Sequence, residues 1–259
     1  MRTKYPIVLV HGLGMKSLPF LRAFGRIDRI LRIQGYTVYV SRIDAMGSVE
    51  GNAQQLKEEI DSVLLESGCE KVNVIAHSKG GLDAKYMMSA LGMTEHVASF
   101  TTLCTPHAGS PIASFVLRFP DVLLRYAAFW VNFAYRILGD KHPDCLAACR
   151  QLRRVSGNEK TELQGVFCQS FSSAISEKEK HFDFVMGIPA LLSRMIEKNS
   201  LTDGLVPRDS AVFGQYRGDC INGSVSHTEI IDFMVRDKYR DRVFAFYSAL
   251  CEELSTMGY

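Results

Sequence analysis

Ser78 stands in the string Ala76-His77-Ser78-Lys79-Gly80-Gly81, directly after the apolar run Val72-Asn73-Val74-Ile75. A buried strand that turns sharply into a helix can expose a serine hydroxyl for nucleophilic attack. Such a turn admits only small residues two before and two after the serine, because the strand and helix backbones nearly touch there. Ala76 and Gly80 meet that requirement, so the string reads as a nucleophile elbow. A serine hydroxyl is a weak nucleophile until a neighbouring base takes its proton, and that base must be oriented by an acid. Downstream acids are Asp203, in Leu201-Thr202-Asp203-Gly204-Leu205-Val206-Pro207, with Asp209, Asp219 and Asp232 nearby; the bases to choose from are seven histidines. His77 adjoins Ser78 and is expected to point away from it. His227 lies in Val225-Ser226-His227-Thr228-Glu229, in a loop that a rigid scaffold could aim.

These residues need elements to position them. Hydrophobic periodicity and turn residues predict a first strand at Ile7–Val10, an amphipathic helix through Phe20, Leu21, Phe24, Ile27, Ile30 and Leu31 that Gly35 ends, and a second strand at 36–40. A helix over 49–65 stopping at Gly68 follows, then the strand into Ser78 and a helix over 79–91. Further strands are expected at 97–103, 165–172 and 211–216, and a closing helix at 228–254 that His227 would begin. Strands alternating with helices predict an α/β fold with a mostly parallel sheet wound on both faces, whose sites gather at the carboxyl ends of the strands. His11-Gly12 and Ser78 both fall at such ends. No repeat or linker interrupts the pattern, so 1–259 is expected to form one domain with an insertion at about 110–156.

Composition narrows the partners. The chain has 259 residues, 47% of them hydrophobic and 22% charged, which suffices for a large core. Thirty basic against 28 acidic residues leave a formal charge of +2, too little excess for phosphate contacts, so nucleic acid is not an expected partner. Seven cysteines are scattered without a C-x-x-C pair, which predicts free thiols rather than a zinc or redox site. The N-terminal apolar stretch is too short for a signal-peptide core, and with free thiols the expected location is cytoplasmic.

Taken together, Val10-His11-Gly12-Leu13-Gly14, the string from Ala76 through Gly81 to Ala84, Thr105-Pro106-His107-Ala108-Gly109-Ser110, Asp203-Gly204-Leu205-Val206-Pro207 and Ser226-His227 resemble the bacterial triacylglycerol lipases and carboxylesterases of the α/β-hydrolase superfamily. In that fold the nucleophile, acid and base follow in the order Ser, Asp or Glu, His. His227 is the histidine that satisfies the order, and the resemblance selects Asp203 among the nearby aspartates. It implies a serine ester hydrolase acting through a covalent acyl-enzyme, with Ser78 as nucleophile, His227 as base and then acid, and Asp203 as orienter. Thioesterases, acyltransferases and catalytically silent binding scaffolds share the fold and remain alternatives. The oxyanion donors would be the backbone N–H of Lys79, after the nucleophile, and by resemblance that of Leu13, after the His-Gly pair.

The lipases place a helical lid where this chain has its insertion. Residues 122–138 are apolar over most of a helix circumference, hold the chain's one tryptophan, and put Arg125 and Arg136 on one narrow stripe about three turns apart. Phe129, Trp130 and Phe133 are the candidate lid and substrate contacts. Such a helix could cover an acyl pocket or rest on a lipid surface; a core or dimer-interface helix is the alternative. The two arginines leave an apolar interval well short of the roughly 20 residues a membrane span needs. Secreted lipases often hold calcium near the histidine, and Asp183 and Glu229 are the nearest acids here, but the family's acidic pattern is not reproduced. No metal or cofactor is expected.

Overall fold

Six parallel strands, in the order β2-β1-β3-β4-β5-β6, form the sheet of the computed structural model, which describes residues 2–17, 22–155, 162–176, 186–198 and 201–259. The strands are β1 (Ile7–Val10), β2 (Val38–Val40), β3 (Val72–His77), β4 (Val97–Leu103), β5 (Phe167–Ser172) and β6 (Gln215–Asp219). The helices are α1 (Ile27–Ile33), α2 (Val49–Ser67), α3 (Lys79–Ala90), α4 (Pro111–Val116), α5 (Asp121–Ile137), α6 (Cys145–Gln151), α7 (Gly187–Ile196) and α8 (Asp237–Thr256).

Both faces of the central strands are buried: β1 reads as a continuous apolar run, while β3 and β4 are buried throughout although they carry Asn73, His77, Ser99, Thr101 and Thr102. Ile7, Leu9 and Ile75 pack with α1 and α8, whereas Val8, Val10, Val74 and Ala76 pack with α2 and α3. Alternate residues of one strand thus supply two cores, as the period-2 geometry of a strand requires. Helix α2 begins at an N-cap serine, Ser48, whose side chain accepts from the Gly51 amide, and ends where Gly68 adopts φ 67°.

The sheet also fixes where a site can be. From β1 the chain crosses to β2 on one side and then returns to β3 on the other. The loops after β1 and β3 therefore diverge at a topological switch point and leave a crevice at the carboxyl ends of the strands. His11–Gly14 and Ser78 flank that crevice.

The mostly parallel sheet with helices on both faces matches expectation, while several boundaries move. Helix α1 starts only at Ile27, and Phe20 and Leu21 lie outside the described residues. The sixth strand starts after Gly214, not at Ala211: Phe213 donates its amide to Ser170 Oγ instead of to the ladder, and Gly214 (φ 56°) lies where a Cβ would come within 2.6 Å of the Cys168 carbonyl oxygen. The closing helix does not begin at His227. A short 3-10 turn, Glu229–Ile231, is followed by Asp232 and Met234 in left-handed conformation (φ 58° and 49°), and α8 starts at Asp237. One long-range and one local pair hold this break: the Asp232 carboxylate accepts from Arg26 Nη2 at 2.7 Å, and Glu229 accepts from Arg236 Nε, seven residues on, at 2.6 Å.

Helices α4, α5 and α6 occupy the insertion between β4 and β5. Helix α5 is not a core helix: Ala128 is its buried residue, while Val122, Tyr126, Phe129, Trp130, Phe133 and Ile137 are all at least half exposed. All seven cysteines are free, and among the described residues no helix is long and apolar enough to cross a membrane.

Candidate active site

Ser78 sits between β3 and α3 at φ 54°, ψ −133°, a strained conformation for a residue with a Cβ. Close packing explains the small residues around it. A Cβ on Gly80 would lie 2.4 Å from the His11 carbonyl oxygen, and one on Gly12 would lie 2.6 Å from Ser78 Cβ. The loop after β1 is therefore pressed against the elbow, and neither glycine tolerates a side chain. The Ser78 amide donates to the Leu103 carbonyl at 3.0 Å, tying the turn to β4.

The hydroxyl of Ser78 lies 2.8 Å from His227 Nε2, and His227 Nδ1 lies 2.7 Å from Asp203 Oδ2. A carboxylate can only accept, so Nδ1 carries the proton and Nε2 presents a lone pair to the serine hydroxyl. Asp203 is itself held: its Oδ1 accepts from the amides of Leu205 (3.0 Å) and Val206 (2.8 Å), and its backbone carbonyl accepts from the His227 amide at 2.9 Å. All three side chains are at most 9% exposed. The turn Asp203-Gly204-Leu205-Val206 thus aims one carboxylate oxygen at the base and spends the other on its own backbone.

The rival aspartates are engaged elsewhere. Asp209 pairs with Arg154 at 2.5 Å, Asp219 accepts from Arg208 Nε at 3.0 Å, and Asp232 is held by Arg26. Glu229 also has partners, since Arg236 and the Ser226 amide take its two oxygens, and this pairing fixes the loop that carries His227. Asp183 lies outside the described residues.

Of the expected oxyanion donors, Leu13 stands on the loop after β1 that packs against the elbow, and Lys79 is the first residue of α3, directly after Ser78. The residue after Leu13 is clamped from both sides, with the Gly14 amide donating to the Ala45 carbonyl and the Tyr135 hydroxyl donating to the Gly14 carbonyl, each at 2.9 Å. Tyr135 belongs to α5, so the inner face of that helix touches the candidate oxyanion loop. The Lys79 side chain is buried and pairs with Asp83 one turn on, at 2.7 Å, and Asp83 also accepts from Asn52 Nδ2 at 3.0 Å. Burial pushes the Asp83 carboxyl up to about 6 against the opposing pull of the Lys79 ammonium. Removing either partner would strand the other's charge in the interior directly behind the elbow.

Phe129, Trp130 and Phe133 form an aromatic cluster of their own, with ring centroids 5.3 to 6.5 Å apart, on the solvent side of α5. Tyr126 joins this cluster through Trp130, with ring centroids 6.4 Å apart. Three neighbours of the site have contacts that the sequence did not foretell. Tyr135 lies on the inner face of the same helix. His77, expected to point away, turns its ring against that of His227. Cys104, at φ 51° just after β4, is buried with its sulfur within 4.8 Å of the Asp203 carboxylate and His227 ring atoms. The neighbouring Cys220 thiol, burial and the Asp203 charge hold the Cys104 thiol well above its ordinary range and so protonated. Asp203 and His227 satisfy one another through the Nδ1–Oδ2 hydrogen bond, so this cluster is suited to acid–base chemistry. One signal for such pairing was present in the sequence: Lys79 and Asp83 are four apart in a helix.

Three kinds of relative bear on this geometry. The family model described as palmitoyl protein thioesterase matches residues 6–142. A triacylglycerol lipase of Vibrio cholerae is 40% identical over 116 residues, 44% of this chain and 36% of that protein. Another from Pseudarthrobacter phenanthrenivorans is 35% identical over 166 residues, 58% of this chain and 50% of its own length. The chain spans half or less of the length of these curated relatives. Among solved structures, mature Bacillus licheniformis lipase BlEst2 superposes with a TM-score of 0.66 at 21% identity, covering 96% of this chain and 92% of that one. A metagenomic carboxyl esterase reaches a TM-score of 0.72 at 18% identity over 97% of this chain and 76% of its own. The fold is that of the α/β-hydrolases.

Proposed function

The chain belongs to the palmitoyl protein thioesterase family, and from that premise we propose that it is a serine hydrolase of acyl esters working through a covalent acyl-enzyme. The observation that carries the reading is the hydrogen-bonded line from Ser78 Oγ through His227 to Asp203. Ser78 Oγ attacks the acyl carbon while His227 Nε2 takes its proton, and Asp203 stabilises the imidazolium that forms. The carbonyl oxygen becomes an oxyanion held by the amides of Leu13 and Lys79. Collapse of the tetrahedral intermediate breaks the ester bond. His227 returns its proton to the departing alkoxide, and the acyl group stays on Ser78. Water, deprotonated by the same histidine, then attacks the acyl carbon; the bond to Ser78 Oγ breaks, His227 returns the proton to that oxygen, and the acid leaves.

The names of the relatives favour lipid esters as substrates. The description of the family model supports a second reading, in which the leaving group is a thiol; the same proton transfers serve both. Helix α5 acts as the lid in this account. Its solvent face of Tyr126, Phe129, Trp130 and Phe133 suits contact with acyl chains or a lipid surface, while Tyr135 links its inner face to the Gly14 carbonyl.

A hydrolysis series tests the proposal. With p-nitrophenyl esters from acetyl to palmitoyl, below and above their solubility limits, turnover is expected, with a rise at the lipid interface if α5 is a lid. A palmitoyl thioester run beside them separates the two leaving groups. Absence of turnover on every ester and thioester would overturn the reading.

A further inference from the structure

The residue before the nucleophile reaches the backbone of the base. His77 ends β3, and its side chain is buried with Nε2 2.9 Å from the backbone carbonyl oxygen of His227. The two rings lie 4.6 Å apart between centroids, tilted by 48°. A carbonyl only accepts, so His77 must present Nε2–H, which leaves Nδ1 as a bare lone pair. Nδ1 is accordingly a buried atom with no hydrogen-bond partner among the described residues. The His227 amide is already tied to the Asp203 carbonyl at 2.9 Å. The base is therefore held at both ends of its own residue, by the acid on the N–H side and by His77 on the carbonyl side.

We infer that His77 is a positioning residue, whose Nε2–H bond to the His227 carbonyl sets the base relative to the adjacent nucleophile. The inference rests on the ester-hydrolase reading and deepens it. The contacts form a short closed circuit: Ser78 is bonded to His77, His77 holds the backbone of His227, and His227 Nε2 meets Ser78 Oγ. Movement of the loop between Val225 and Thr228 thus registers directly at the elbow. A neutral donor suits the place, because His227 becomes cationic in the reaction and a second cation beside it would oppose that step. Burial, then the charge of His227, hold His77 well below its ordinary range, and His11 on β1's loop acts in the same direction.

The test compares His77→Phe, which keeps a ring and loses the donor, with His77→Gln, whose Nε2–H lies the same number of bonds from Cβ. For His77→Phe, kcat on p-nitrophenyl butyrate is expected to fall by about 10²-fold, as for a misplaced catalytic group. KM should be unchanged, and labelling of Ser78 by a fluorophosphonate should slow in parallel. His77→Gln should recover most of the loss. Unchanged kcat in His77→Phe, or an equal loss in both variants, would overturn the inference. A measurement on the wild type does not depend on the folding of either variant: ¹⁵N NMR of histidine-labelled protein should show His77 as the Nε2–H tautomer, without titrating, from about pH 5 to 8. An Nδ1–H tautomer or a titrating ring would also overturn it. Wild-type turnover separates the two claims, because a wild type without turnover sinks the ester-hydrolase reading and leaves the tautomer result standing.

Discussion

His227→Ala is expected to lower kcat by about 10⁶-fold, the scale seen when a serine triad loses its base. KM should change little, because the imidazole contributes to proton transfer and not to substrate binding. The loss is this large because His227 Nε2, 2.8 Å from Ser78 Oγ, acts twice, accepting the serine proton and then delivering it to the leaving group. The fold should survive the change. The loop is anchored by backbone and side-chain bonds that alanine keeps, including the His227 amide to the Asp203 carbonyl and the Glu229–Arg236 pair. Steady-state kinetics together with a thermal melt check the prediction. A variant that melts like wild type yet retains a tenth of its kcat would remove His227 from the mechanism.

The second large effect separates Asp203 from its neighbours. Asp203→Asn should cost about 10⁴-fold in kcat, as for loss of the carboxylate in a serine triad. An amide in place of the carboxylate can offer its N–H to His227 Nδ1, which favours the other tautomer; Nε2 then carries a proton and can no longer take the one on Ser78. Asp209→Asn and Asp232→Asn should stay near wild type in kcat. Asp209 is an exposed partner of Arg154, and Asp232 holds Arg26 away from the reacting atoms. Loss of Asp232 should appear instead as a lower melting temperature, since it fixes the left-handed break before α8. Kinetics on the three variants decide the assignment, and inactivation by Asp209→Asn with an active Asp203→Asn would reverse it.

The elbow was legible in the sequence because its requirement is steric: no side chain fits at Gly80, and a strand of apolar residues must lead into Ser78. The strand and helix alternation was legible for the same kind of local reason, and β4 falls on Val97–Leu103 as expected. The acid was less accessible, because several aspartates lie in comparable turns and only their long-range partners distinguish them. The break at Asp232 and Met234 escaped the periodicity for a related cause. Neither residue is glycine, and the left-handed conformation of Asp232 goes with its bonds to Arg26, a residue far away in the chain. His77 points the way it does because the His227 loop offers it a carbonyl, something no local pattern encodes. Helix α5 shows a further limit: a segment apolar around most of its circumference reads alike whether buried or exposed, and its exposure follows from the insertion standing outside the sheet. The Lys79–Asp83 spacing announced a pair but not its burial, which comes from Asn52 and the packing of α2 on α3.

Covalent labelling tests the central claim most directly. Incubated with a fluorophosphonate, the wild-type protein should gain one phosphonyl group, and peptide mass mapping should place it on Ser78. His227→Ala should label far more slowly, and Ser78→Ala should not label at all. A folded wild-type protein that takes up no phosphonyl group, or takes it up at a residue other than Ser78, would contradict the account.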